Sequence, residues 1–153
     1  MTAVRSFIYQ VLFHLWTTFI AIFGLPALFL PKAVVWAISP FWSVVSFSIL
    51  RRITGLGYRL EGTENIAAGP VIYASKHQSA WDTMIYPHVL KNPIVVLKKE
   101  LLSIPFYGWY LTKYGSISID RSGGAKALRA MVEDARDAID AGRPIVVFPE
   151  GTR

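Results

Sequence analysis

Between Arg5 and Arg51 the sequence carries one charged side chain, Lys32, and no acid occurs before Glu61. A stretch so poor in charge cannot form the surface of a water-soluble domain, and this limits what residues 1–52 can become. Phe7 to Leu30 is an apolar run long enough to span a bilayer, interrupted by Gly24 and Pro26. Ala33 to Leu50 is a second run, marginal in length and carrying Pro40 in its middle. Pro31-Lys32 between them is a natural turn. The expectation is a membrane-associating helix pair over residues 1–52. It forms either a hairpin whose ends emerge on one side or two helices partly buried in one leaflet. Trp16, Trp36, Trp42 and Tyr9 are candidates for interfacial anchors, and Arg51-Arg52 at the exit fits a cytoplasmic face. His14 lies inside the apolar run and reads as a packing or interfacial residue rather than a ligand. A cleaved signal peptide fits poorly, because the apolar stretch overshoots a signal's core and no clear Ala-x-Ala site follows it.

Composition narrows the partners. The chain is 53% hydrophobic and 14% aromatic, too apolar for an ordinary soluble domain, and its 153 residues suffice for one domain with a real core. It has no cysteine, which excludes disulfides, thiolate chemistry and Cys-based metal sites. Its three histidines form no His-x-x-x-His pair, so a zinc site is not expected. A net charge of +6 admits nucleic acid or an anionic membrane. The cations are not interleaved with aromatics along one element, which disfavours nucleic acid, and the apolar N-terminus favours the membrane.

From residue 53 the pattern changes to α/β. Apolar runs at Pro70–Ser75, Ile94–Leu97, Ser116–Ile119 and Pro144–Phe148 read as strands, and Tyr58–Glu61 as a further short one. A helix is expected over Ser79–Leu90, and a broken amphipathic segment over Leu101–Tyr114, with Pro105 and Gly108 as the breaks. Its aromatics Phe106, Tyr107, Trp109 and Tyr110 suit core or membrane-surface contacts better than a ligand stack. The last helix runs from about Ala125 to Ala141, with Ser122 in its capping region. Its apolar stripe is Leu128, Met131, Val132, Ala135 and Ile139, and Gly142 ends it. Alternating strands and helices predict an α/β domain over residues 53–153, with a mostly parallel sheet flanked by helices.

Ligand chemistry in such sheets sits at the C-terminal ends of the strands. His77 follows the first core strand, Lys98 the second, Asp120-Arg121 the third and Glu150-Gly151-Thr152-Arg153 the fourth. Asp82, five positions after His77, would lie one helical turn beyond the strand-to-helix corner. From there it can hold one imidazole nitrogen protonated and leave the other as a base for a hydroxyl. The same aspartate would also serve as a simple helix cap. Lys98 and Lys99 have the alternative of solvating a strand end, and Arg121 that of pairing with Asp120. A base with its orienting acid, beside several cations, suggests hydroxyl activation near a phosphate.

These blocks together resemble the 1-acylglycerol-3-phosphate acyltransferase family, the PlsC-type lysophosphatidic acid acyltransferases. His77-Gln-Ser-Ala-Trp-Asp82 matches the family's His-x4-Asp block. Gly115-Ser-Ile-Ser-Ile-Asp120-Arg121 resembles the second block, and Phe148-Pro-Glu-Gly-Thr-Arg153 matches the third. Lys98-Lys99-Glu100-Leu101 with Ile104-Pro105-Phe106-Tyr107-Gly108-Trp109 is similar to the segment between. The resemblance covers residues 53–153 and implies a glycerolipid acyltransferase fold behind an embedded helix pair.

The resemblance further implies that His77 is the general base for the sn-2 hydroxyl of a lysophosphatidate and that Asp82 orients it. Lys98, Arg121 and Arg153 would hold the phosphate, while Glu150, Gly151 and Thr152 would shape the glycerol side of the substrate-binding site. Acyl-CoA or acyl-acyl carrier protein would be cosubstrate, with no metal or bound cofactor. The bilayer would be partner, at the cytoplasmic face, with a bacterial inner membrane the expected setting. Alternative acceptors are glycerol 3-phosphate, a lysophospholipid or an ornithine lipid, and an inactive binder of anionic lipid is the reading from another class. The family's fourth block has no counterpart before Arg153, so a fragment of a longer frame, ending in an exposed edge strand, is expected.

Overall fold

The computed structural model describes residues 2–67, 69–120 and 122–150. It divides into two compact units, Met1–Ile66 and Ala67–Arg153.

The first unit is a helix pair. Helix α1 (Thr2–Phe23) leads through a 3-10 turn at Leu25–Phe29 to Pro31, after which α2 (Lys32–Thr54) begins. Both helices are long and apolar enough to cross a membrane. Pro40 lies inside α2 without ending it. None of the described α1 residues is buried. Two of the tryptophans expected at an interface instead tie the helices together. The Trp42 indole donates to Thr17 Oγ1 at 3.1 Å, and the Trp16 indole to the Trp42 carbonyl at 3.3 Å. Buried Ser43 and Ser46 keep the seam narrow, and the Ser46 hydroxyl satisfies itself on the Trp42 carbonyl at 2.8 Å. After α2 the expected strand at Tyr58–Glu61 is not formed. Tyr58 turns its ring onto Phe47 of α2 at 5.1 Å, and Arg59 pairs with Glu61, so the segment has local partners and no ladder.

The second unit contains strands β1 (Ile72–Ala74), β2 (Ile94–Val95), β3 (Leu97–Lys98), β4 (Ser118–Ile119) and β5 (Ile145–Val147). Helices α3 (Trp81–Val89), α4 (Tyr107–Tyr114) and α5 (Gly124–Asp140) alternate with them. All pairings are parallel: β5 lies between β1 and β2, and β3 pairs with β4. The run expected as one strand over Ile94–Leu97 is shared between two neighbours. The Val96 N–H bonds to Val146 O, and the next N–H, of Leu97, bonds to Ile117 O on the other side. Such alternation is what an inner strand of a parallel sheet must show.

The last strand corrects an expectation, for β5 is central rather than an exposed edge. Its Ile145 and Val146 are fully buried, and only a position flanked on both sides buries them so completely. Ile94, Ile117, Ala138 and Ile145 form the core, with Met131, Ala135 and Ile139 of α5 packed against it. Leu128 and Val132, also expected in that stripe, are exposed. A helix of 17 residues is about 25 Å long, whereas strands of two or three residues cover roughly 10 Å. The first turns of α5 therefore overhang the sheet. Its far end closes at Gly142, whose φ of +74° lets the Arg143 N–H reach back to Ala138 O at 3.0 Å.

Candidate active site

Parallel register builds the site. β1 and β5 pair with Ala74 opposite Val147, so three residues further on His77 and Glu150 leave the sheet side by side. The two exits are joined directly, as the His77 N–H donates to Glu150 Oε2 at 2.9 Å. Above this junction the imidazole stacks on Phe148, with ring centroids 4.3 Å apart and planes 29° apart. Behind it, the Tyr86 hydroxyl of α3 donates to Ser75 Oγ at 2.5 Å, and the Ser75 N–H bonds to Val147 O. The turn carrying His77 is thus fixed from both β5 and α3.

Asp82 occupies the first turn of α3. Its Oδ2 accepts the backbone N–H groups of Gln78 at 2.6 Å and Ser79 at 2.8 Å, and lies 3.3 Å from His77 Nδ1. In return Ser79 Oγ accepts the Trp81 N–H at 3.2 Å. This exchange ties Ser79 to the first turn of α3, so Asp82 has a structural role there as well. It coexists with the imidazole contact, because one carboxylate oxygen serves both. The His77 and Asp82 side chains are 20% and 19% exposed, sheltered yet open at one side. With Nδ1 directed to Asp82, Nε2 is the ring nitrogen left to face a substrate.

Burial by itself would raise the Asp82 pKa. The Ser79 and Gln78 amides, followed by the hydrogen bond and charge attraction of His77, outweigh it and hold the carboxyl below its usual range. The unfolded carboxyl titrates near pH 4, about the ordinary aspartate value. The ionised group therefore stabilises the fold above that pH, and the contribution is lost as pH falls through the lower folded value. Asp82→Asn is expected to remove this part of the acid limb of stability. Thermal midpoints followed downward from pH 6 test it, and identical acid limbs in variant and wild type would contradict it.

Lys98 is the exposed last residue of β3, on the same strand-end side of the unit. Its strand pairs with β4 in a second sheet, whereas β2, which leads into it, stands two positions from β1, about 10 Å at ordinary strand spacing. A substrate longer than one polar group would be needed to touch both Lys98 and His77. Beside it, Asp120 accepts the Ser122 hydroxyl at 2.5 Å and the Ser122 N–H at 3.0 Å, and faces Lys99 Nζ at 3.5 Å. The two Ser122 bonds, and then Lys99, lower its pKa. Ser122 therefore closes a turn onto Asp120 instead of capping α5.

The structure brings His77, Asp82 and Glu150 together and leaves Lys98 at a distance. Arg121, Gly151, Thr152 and Arg153, singled out from the sequence, lie outside the described residues. Among the described residues, no cluster of three or more metal-ligating side chains is arranged to hold an ion. Two features escaped the sequence reading: the Phe148 stack and the tie from Glu150 to the His77 amide. Equal offsets of three residues beyond paired strand ends would have indicated the second, once the strand order was known.

Comparison with known proteins matches residues 57–153 to the acyltransferase family model. A 1-acyl-sn-glycerol-3-phosphate acyltransferase of Pseudomonas aeruginosa is 37% identical over 112 residues, covering 73% of this chain and 44% of that protein. One of Saccharomyces cerevisiae is 31% identical over 108 residues, covering 70% and 36%. The crystal structure of the 1-acyl-sn-glycerophosphate acyltransferase PlsC from Thermotoga maritima superposes with a TM-score of 0.77 at 24% identity. That superposition covers 100% of this chain and 64% of the other, and at such identity it shows the fold. The chain spans less than half the length of the two curated relatives.

Proposed function

The chain belongs to the acyltransferase family, and on that premise we propose that it transfers an acyl chain from a thioester donor to the sn-2 hydroxyl of 1-acylglycerol 3-phosphate, giving phosphatidic acid. The observation that carries the reading is the 3.3 Å approach of His77 Nδ1 to Asp82 Oδ2 at the strand-to-helix corner. The names of the relatives agree with it.

In this mechanism Nε2 of His77 takes the proton of the acceptor hydroxyl as its oxygen attacks the thioester carbonyl. Asp82 keeps Nδ1 protonated and stabilises the imidazolium that forms, the logic of a serine hydrolase with the substrate as nucleophile. Collapse of the tetrahedral intermediate breaks the carbon–sulfur bond, and the imidazolium returns its proton to the departing thiolate. The oxyanion needs preorganised donors. The Gln78 and Ser79 amides are already committed to Asp82, so other groups must supply them.

Lys98, Arg121 and Arg153 hold the acceptor phosphate, the arginines with the better bidentate geometry. Glu150, Gly151 and Thr152 shape the glycerol side, with Glu150 acting from its bond to the His77 amide. The donor is acyl-CoA or acyl-acyl carrier protein. Helices α1 and α2 enter the bilayer and keep the site at its cytoplasmic face, where an acceptor that never leaves the membrane is delivered.

The test is thiol release from either donor in membranes containing the chain. Lysophosphatidate is expected to exceed a neutral lysolipid by about tenfold to a hundredfold, the worth of one charge-assisted hydrogen bond. Equal rates with both acceptors would remove the phosphate site. Release with glycerol 3-phosphate alone would reassign the acceptor, and no release with any donor and acceptor would refute the reading.

A further inference from the structure

We propose that the segment between β3 and β4 carries a second lipid-binding surface, in which Ile104, Phe106 and Trp109 enter the headgroup region of an anionic bilayer. Within six residues of chain these side chains are 44%, 39% and 53% exposed. Phe106 and Trp109 meet edge to face at 5.1 Å, so they present one aromatic ledge.

The backbone beneath the ledge is fixed. Phe106 has φ +62° and ψ −57°, and the Tyr107 N–H bonds to Pro105 O at 2.7 Å across it. That is a three-residue turn with positive φ, a strained conformation for a residue with a side chain. Gly108 then lies so close to Leu102 that an added Cβ would meet its carbonyl oxygen at 1.9 Å. A large apolar ring is therefore held outward on a strained but closely packed turn, and burial in the core does not account for it.

Charge selects the occupant. From Leu97 to Asp120 the chain carries Lys98, Lys99 and Lys113 against Glu100 and Asp120. Lys98 is assigned to the acceptor phosphate and Lys99 faces Asp120, so the charge beside the ledge is that of Lys113. Within α4, Trp109 and Lys113 stand at i and i+4 and share one helix face, while Phe106 precedes the helix. Aromatic rings beside a lysine suit the boundary between acyl chains and phosphates, where the ring is solvated by lipid and the ammonium by headgroups. A bilayer is also within reach, an argument that rests on the proposed insertion of α1 and α2.

The absence of native cysteine allows single nitroxide labels. Ile104→Cys and Trp109→Cys are labelled in the full chain, with Phe19→Cys on α1 and Leu128→Cys on α5 as references. Each is reconstituted into phosphatidylcholine vesicles with and without phosphatidylglycerol. The expected result is accessibility to oxygen over an aqueous nickel chelate at 104, 109 and 19, and the reverse at 128. Omitting phosphatidylglycerol should shift 104 and 109 toward water and leave 19 unchanged. Water-like values at 104 and 109 with 19 in lipid would overturn the proposal alone, whereas water-like values at 19 as well would remove the membrane reading beneath it. Protection accompanied by spin–spin broadening would also overturn it, by assigning the ledge to a second copy.

Discussion

Replacement of His77 by alanine is expected to lower acceptor-dependent thiol release by about 10²- to 10⁴-fold, the usual worth of a positioned general base. Asp82→Asn should approach the same loss, because a neutral amide neither fixes the Nδ1–H tautomer nor stabilises the imidazolium. The asparagine variant is the informative one. Its side-chain oxygen can still accept the Gln78 and Ser79 amides that Asp82 holds at 2.6 and 2.8 Å, so the turn is kept while the charge goes. Asp82→Ala removes both and confounds catalysis with folding. The two residues act as one unit, so His77→Ala with Asp82→Asn should be no slower than His77→Ala alone. Activity of Asp82→Asn within a few-fold of wild type would reduce Asp82 to a helix cap. Multiplying losses in the double variant would show that the pair does not act together.

The pattern of strands and helices is enough to put His77, Lys98, Asp120 and Glu150 at strand ends, because alternation with helices forces parallel strands and one functional edge. Strand order is not legible in the same way. Local pattern says that Ile145 and Val146 are buried on both faces, but it does not say which neighbours bury them. A central strand therefore reads as an edge. Leu128 and Val132 fit the period of α5 and are exposed all the same, since periodicity reports angle around a helix and not the extent of the sheet beneath it. Tyr58–Glu61 has strand composition without a strand to pair with. The Phe148 stack and the positive φ of Phe106 are tertiary choices of ring and backbone, and residue type alone does not announce them.

Gly108→Ala is expected to destabilise the second unit by about 3 kcal/mol, the upper end of the range for forcing volume into a closed site. For a unit of this size the thermal midpoint should fall by roughly 10–25 °C. At an open helix position the same change usually stabilises, because alanine has the higher helix propensity and the less disordered unfolded state. Space reverses the sign here. The added carbon would stand 1.9 Å from Leu102 O, 2.5 Å from Leu102 C and 3.0 Å from Leu102 Cα, all backbone atoms with no rotamer to relieve them. Gly57→Ala is the control, since a carbon added there meets nothing within 4 Å, and it should stay within about 0.5 kcal/mol of wild type. The strain would pass along the 3-10 turn Lys99–Ser103 to Lys98 at the end of β3, so phosphate selectivity should suffer together with stability. Equal midpoints for the two alanine variants would mean that the Leu102–Gly108 contact is loose. The Phe106 turn would then lose the rigid support that makes its outward ring more than an accident of folding.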